Sequence, residues 1–94
     1  MKTTESSWKN ARNVNIFVRE WAPDGETRAA VGLIHGLGEH TGRYQQAAGR
    51  LTAAGYALMG PDLPGHGRSG GPRGFTSFDE ISGEIDHLLT EIRQ

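Results

Sequence analysis

Two stretches concentrate the side chains that could do chemistry. His35-Gly36-Leu37-Gly38-Glu39-His40 sets two imidazoles and a carboxylate in a Gly-rich run. Asp62-Leu63-Pro64-Gly65-His66-Gly67-Arg68-Ser69-Gly70 sets a carboxylate, an imidazole and a hydroxyl in a Pro/Gly loop. In the first run the glycines let the chain turn, and a helix start beyond it leaves backbone N–H groups unpaired. Free donors aimed at one point stabilise a developing negative charge, and one such donor lowers an acyl-transfer barrier by roughly 3 kcal/mol. Three other readings stand beside this one. The run serves as a plain strand-to-helix turn with glycine for geometry alone. Gly36-Leu37-Gly38 also opens like a dinucleotide fingerprint, with Asp62 where a ribose-binding acid would stand, although the third glycine is Gly42 and residue 41 is Thr. His35, Glu39 and His40 bear a likeness to a zincin motif, but the spacing is wrong and the glycines make a poor helix.

Gly67-Arg68-Ser69-Gly70-Gly71 fits the G-x-S-x-G pattern of a nucleophile elbow. That elbow needs a strand before the Ser and a helix after it, so that the hydroxyl stands exposed on a strained turn. Here a Pro/Gly loop comes before and Gly71-Pro72-Arg73-Gly74 follows, which cannot start a helix at Ser69. Asp62, His66 and Ser69 read instead as groups that brace their own loop, because short polar side chains satisfy backbone groups in turns.

The elements around these loops follow from periodicity. Val14, Ile16 and Val18 alternate with Asn15, Phe17 and Arg19, which predicts a strand over Val14–Trp21 with one face more buried. Ser6–Lys9 pairs with it through a turn at Asn10–Asn13, and Pro23-Asp24-Gly25 makes the next turn. Arg28–Ile34 holds a continuous apolar run, as expected of a strand covered on both faces in a parallel sheet. Tyr44, Ala47, Ala48, Leu51 and Ala54 fall at helical spacing and stop at Gly55; Tyr56–Met59 is another short buried strand. Strand, helix, strand implies a right-handed parallel crossover. Ser77 and Glu80 form a capping box for a helix that runs to the end with Phe78, Ile81, Ile85, Leu88, Leu89 and Ile92 in one stripe.

Composition narrows the function classes. The chain has 94 residues, room for one domain at most. Ten basic residues against eleven acidic ones give a net charge of −1, so nothing asks for a nucleic-acid partner. Without Cys there are no disulfides and no thiolate metal sites. Met1–Asn10 lacks the apolar core of a signal peptide, no apolar run approaches a membrane span, and the expected location is the cytoplasm.

The two loops together resemble the α/β-hydrolase superfamily, most of all its monoacylglycerol lipase, lysophospholipase and serine aminopeptidase S33-like members. The residues that carry the likeness are His35-Gly36-Leu37-Gly38-Glu39-His40, Arg43-Tyr44, and Asp62 with Gly65-His66-Gly67 and Ser69. A nucleotide fold has no use for a Pro-Gly-His-Gly loop after its ribose-binding acid. The resemblance runs from about Val14 to the last helix and implies an α/β fold, with residues 1–94 as the front part of a hydrolase domain that stops before the nucleophile elbow. It implies that the amide of Leu37 is one oxyanion-hole donor, that His35, Gly36 and Gly38 shape its loop, and that Asp62, Gly65, His66, Gly67 and Ser69 build the second loop. It also implies a serine hydrolase acting on carboxylic esters of small lipids, with no cofactor and no metal, and with triad and lid beyond Gln94. By itself the chain is then expected to be inactive. A further strand would lie beside Arg28–Ile34, so that alone this strand is an exposed edge prone to self-association. A dinucleotide-binding half-domain and a non-catalytic interaction module remain as alternatives.

Overall fold

A computed structural model describes residues 1–93. Strands β1 (Lys2–Lys9) and β2 (Asn15–Ala22) form an antiparallel hairpin. Strand β3 (Ala29–Gly32) leads through a 3-10 turn (Thr41–Tyr44) and helix α1 (Gln45–Ala53) into β4 (Tyr56–Pro61), parallel to β3. Helix α2 (Phe78–Ile92) follows the second loop, and the sheet order is β1-β2-β4-β3. The hairpin turn is held by Asn10, whose side-chain oxygen accepts from the N–H of Arg12 and of Val14, with Asn13 in the left-handed region at φ 63°. Asn tolerates that conformation better than most residues. Strand β1 is twice as long as the Ser6–Lys9 segment that patterning suggested. Lys2–Glu5 is polar and exposed throughout, so it carries no alternation, and its pairing is dictated by the β2 backbone beside it.

The two helices cover opposite faces of the sheet. Trp21 and Leu58 are register partners and pack with Ala48 of α1. Gly32 and Met59, paired one residue further on, point the other way: a methyl at Gly32 would meet Leu88 and Ile92 of α2. Successive residues of a strand face opposite sides, which fixes the three-layer order α1, sheet, α2. On β2 the alternation holds for Ile16 and Val18, both fully buried. Phe17, on the other face, is nonetheless only 7% exposed. The Arg68 guanidinium lies 4.3 Å from its ring centroid and that of Arg19 5.1 Å, so two cations with long apolar stems roof the ring. Trp21 is buried as well, and its indole N–H donates to the Gln45 side chain at 2.8 Å.

Strand β3 departs from the sequence expectation. It spans Ala29–Gly32 rather than Arg28–Ile34, and all four residues are exposed, Val31 at 36%. It pairs with β4 on one side only and so forms the open edge expected of this stretch in the chain by itself, while its residues are less covered than the apolar run suggests. The stripe of α2 is likewise half covered: Leu88 is buried, Leu89 is exposed and Phe78 is 82% exposed. The side chain buried beside Leu88 is Glu84, at 2% exposure. It stands three residues from Ile81 and four from Leu88, on the same helical face. Its Oε1 accepts from the Trp8 indole N–H at 2.8 Å, and its Oε2 accepts from the Asn10 amide at 3.2 Å. Trp8 also stacks on His87, with ring centroids 4.0 Å apart. One buried carboxylate thus fastens α2 to the hairpin.

A buried acceptor whose donors lose their partner costs about 1–3 kcal/mol. Glu84→Ala is expected to lower unfolding stability by about that amount, and Glu84→Gln by clearly less, because its carbonyl still receives the Trp8 N–H. Urea denaturation followed by Trp fluorescence measures both; equal losses for the two variants would show that the charge of the carboxylate, and not the Trp8 hydrogen bond, sets the effect.

Candidate functional site

Parallel strands β3 and β4 end at the same edge of the sheet, and the loops that leave them there are the two chemistry-bearing stretches. In open α/β sheets this carboxyl edge is where ligands bind. The first loop is built around one peptide unit, that of Gly36 and Leu37. Its carbonyl accepts from the Glu39 N–H at 3.1 Å and lies 2.8 Å from Nδ1 of His35. The Gly36 N–H donates to Glu39 Oε1 at 2.9 Å, and the Tyr44 hydroxyl donates to the same oxygen at 2.7 Å. These two bonds, the tyrosine's the larger influence, hold the Glu39 carboxyl below its ordinary value, and the same bond raises the Tyr44 phenol. The N–H of Leu37 has no acceptor among the described residues, and its side chain is 72% exposed.

His35 is buried, and its Nε2 accepts from the Leu63 N–H at 2.9 Å. Burial, the largest influence, lowers its pKa below the ordinary 6.5. The loops also meet at Asp62, which is 1% exposed. Its Oδ1 accepts from both the N–H and the hydroxyl of Thr41, each at 2.7 Å, and its Oδ2 accepts from the Arg68 N–H at 2.9 Å. Burial pushes the carboxyl up, but the bonds from Arg68 and Thr41 together outweigh it, and Asp62 sits below its ordinary value of 3.8. Thr41 in turn accepts from Arg19 Nε at 3.3 Å, while Glu5 bridges the guanidiniums of Arg19 and Arg68 from β1. Glycine is required in the second loop. At Gly67, φ is +50° and a methyl group would stand 2.3 Å from Asp62 Oδ2; at Gly65 it would stand 2.2 Å from the Pro72 carbonyl oxygen.

The remaining hydroxyl and imidazoles are spoken for. Ser69 is 2% exposed, accepts from the Phe17 N–H at 2.9 Å and donates to the Asp62 carbonyl. Arg73 caps the carbonyls of Gly67 and Ser69, and the segment after Ser69 is turn rather than helix. The His66 ring is buried beside Pro64, whose carbonyl lies 3.0 Å from Nδ1. His40 is exposed and accepts from the Gly42 N–H, so His35, Glu39 and His40 go to three different partners instead of converging. The dinucleotide reading loses both its supports. The Gly36 N–H is already held by a carboxylate that would repel a phosphate, and Asp62 is buried against its own donors, away from any ribose. Gly38 turns at φ +80° with nothing near its Cβ position, so its backbone conformation and not crowding calls for glycine there. Two contributors to the loop bracing escaped the sequence reading, Thr41 and Arg19; Thr41 opens the 3-10 turn and meets Asp62 21 positions away, a contact with no local signal.

The sign of the Asp62 effect on stability is fixed by its depressed pKa. Its contribution is fully present above the ordinary value of 3.8 and is lost as pH falls through the lower native value. Asp62→Asn is expected to remove that acid-side dependence and to cost about 1.5–3 kcal/mol at neutral pH, because an amide cannot accept on both sides. Thermal unfolding midpoints between acid and neutral pH check this, and an unchanged profile would contradict it.

Comparison with known proteins agrees with this geometry. The profile of the family described as serine aminopeptidase, S33, matches residues 25–94. Monoacylglycerol lipase of Mycolicibacterium smegmatis is 44% identical over 70 residues, which cover 74% of this chain and 25% of that protein. The crystal structure of Paleococcus ferrophilus monoacylglycerol lipase superposes with a TM-score of 0.76 at 38% identity, over 84% of this chain and 30% of that one. A thermostable carboxyl esterase from Bacillus coagulans gives a TM-score of 0.84 at 23% identity over 99% of this chain and 32% of its own, a likeness of fold alone. The chain spans about a quarter of the length of the Mycolicibacterium relative. With 70 of its residues matched by one family and its sheet edge built as described, this chain belongs to the serine aminopeptidase S33 family of α/β-hydrolases.

Proposed function

We propose that residues 1–94 act as the front part of an α/β-hydrolase domain that cleaves carboxylic esters of small lipids, a monoacylglycerol or a lysophospholipid, with the Leu37 N–H as one donor of its oxyanion hole. The observation that carries this reading is the Leu37 N–H, which lies at the carboxyl edge of the parallel strands and has no acceptor among the described residues, while the Gly36 N–H before it is occupied. The relatives named as monoacylglycerol lipases supply the substrate class. In the proposed reaction a serine further along the chain attacks the ester carbonyl and a histidine takes its proton. The carbonyl oxygen gains the negative charge, and the Leu37 N–H donates to it; the alcohol leaves, and water then frees the acid. His35, Gly36 and Gly38 shape the donor loop. Asp62, Gly65, His66, Gly67 and Ser69 hold the second loop and take no part in bond making. Residues 1–94 by themselves are then inactive.

A second reading rests on the open edge of β3. The exposed run Ala29–Gly32 beside exposed Leu89 favours association between copies of the isolated chain. Sedimentation velocity is expected to show mass growing with concentration, and a monomer at every concentration would remove this reading.

The catalytic proposal is tested by treating the native protein with a fluorophosphonate probe and measuring intact mass before and after. One adduct is expected, on a serine other than Ser69, and Ser69→Ala is expected to keep it. No adduct, or one on Ser69, overturns the proposal. Leu37→Pro removes the N–H and is expected to lower kcat on a p-nitrophenyl ester by about 10²–10³-fold, whereas Leu37→Ala, which keeps the N–H, stays near the unaltered protein.

A further inference from the structure

We propose that His35 is the positioning residue for the Leu37 donor, acting as a neutral imidazole fixed in its Nδ1–H form and bridging the two loops. The inference rests on the oxyanion reading of Leu37. It starts from the one contact at His35 with no ambiguity of direction. A backbone N–H can only donate, so the Leu63 N–H at 2.9 Å requires a lone pair on Nε2. In a neutral ring the proton then sits on Nδ1, and at 2.8 Å it donates to the carbonyl of Gly36.

That carbonyl belongs to the same planar unit as the Leu37 N–H. In a trans peptide the C=O and the N–H point in opposite directions, and the described residues contain no cis peptide. Two donors, the His35 ring and the Glu39 N–H, grip the oxygen end from one side. The nitrogen end is thereby turned away from them, towards the open side of the loop. Hydrogen bonds to the carbonyl also polarise the unit, which strengthens its N–H as a donor. The ring is buried and cannot swing without breaking the Leu63 contact, so the orientation of a first-loop peptide is anchored on the backbone of the second loop.

The same arrangement makes the device sensitive to acid. A second proton would have to sit on Nε2, facing the Leu63 N–H, and that contact would be lost. The groups that face the ring are Asp62 and His66 of the second loop, with the His66 ring centroid 5.4 Å away, and Glu39 of its own loop. The two carboxylates favour protonation and His66 opposes it, while burial disfavours it most. The stability contributed by His35 is therefore complete above its ordinary 6.5 and is lost as pH falls through the lower native value.

Two isosteres separate the two ring nitrogens. Asn at 35 carries a donor near the place of Nδ1, and Gln carries an acceptor near the place of Nε2. In the native protein, with a p-nitrophenyl ester as substrate, His35→Gln is expected to lower kcat by about 10–100-fold with KM unchanged, and His35→Asn to retain most of it. Nitrogen NMR of the unaltered protein, labelled at histidine, needs no variant and is expected to find His35 protonated at Nδ1 and bare at Nε2 at neutral pH. A proton at Nε2, or equal kcat for the Asn and Gln variants, overturns the proposal. If Leu37→Pro and Leu37→Ala turn out alike while the nitrogen spectrum is as expected, the oxyanion reading has failed and the tautomer lock has not.

Discussion

Asp62 sits where the two loops meet, and a carboxylate there has to be hydrogen-bonded on every side. Taking such a charge out of water is costly unless donors replace the water. Two of its donors come from Thr41 at the end of the first loop and one from Arg68 in the second, so neither loop can take its shape without the other. Gly67 is glycine because the oxygen of this carboxylate occupies the place of a Cβ. Arg19, stacked over Phe17, extends the arrangement into the sheet by donating to the Thr41 hydroxyl. Chain segments distant in sequence are thus tied to one buried charge, and the remaining loop contacts are built around it.

What reaches the functional edge is the by-product of this bracing. The glycines give both loops enough backbone freedom to turn sharply, and most N–H groups so freed are taken up again: Gly36 by Glu39, Thr41 by Asp62, Leu63 by His35, Phe17 by Ser69. Polar residues in these loops are spent on internal satisfaction. His35, Glu39, Asp62 and Ser69 are thus each committed to a partner within the loops or the adjoining strand. Ser69 illustrates the point, since its hydroxyl both accepts and donates within the protein and is closed to solvent. Among the described residues the Leu37 N–H is one of the first-loop donors that find no internal acceptor, with those of Gly38 and His40.

Much of the fold was legible because periodicity and turn chemistry are local. The alternation of Ile16 and Val18, the stop at Gly55 and the cap at Ser77, which accepts from the Glu80 N–H, needed no knowledge of neighbours. The misses were tertiary. Phe17 stands on the face that patterning marks as the less buried, and it is buried because arginines remote in sequence or on the same strand roof it. The edge position of β3 was expected, but its four residues are exposed where the apolar run suggested cover on both faces; apolarity reports what a strand is suited to, not what lies against it. The burial of Glu84 has no local signal, because its partners Trp8 and Asn10 lie more than seventy positions away. In the site, the motif pointed to the loops and to Leu37, but the grip on the Gly36 carbonyl comes from backbone direction and a histidine tautomer, which no residue pattern encodes.

The central claim is that the Leu37 N–H faces the oxygen on which charge develops. The most direct measurement is a crystal structure of the native protein carrying a fluorophosphonate adduct on its reactive serine. The account predicts a phosphoryl oxygen about 2.7–3.1 Å from the Leu37 nitrogen, the range expected for an oxyanion donor. A phosphoryl oxygen directed away from the first loop, with the Leu37 N–H bonded elsewhere, would contradict it.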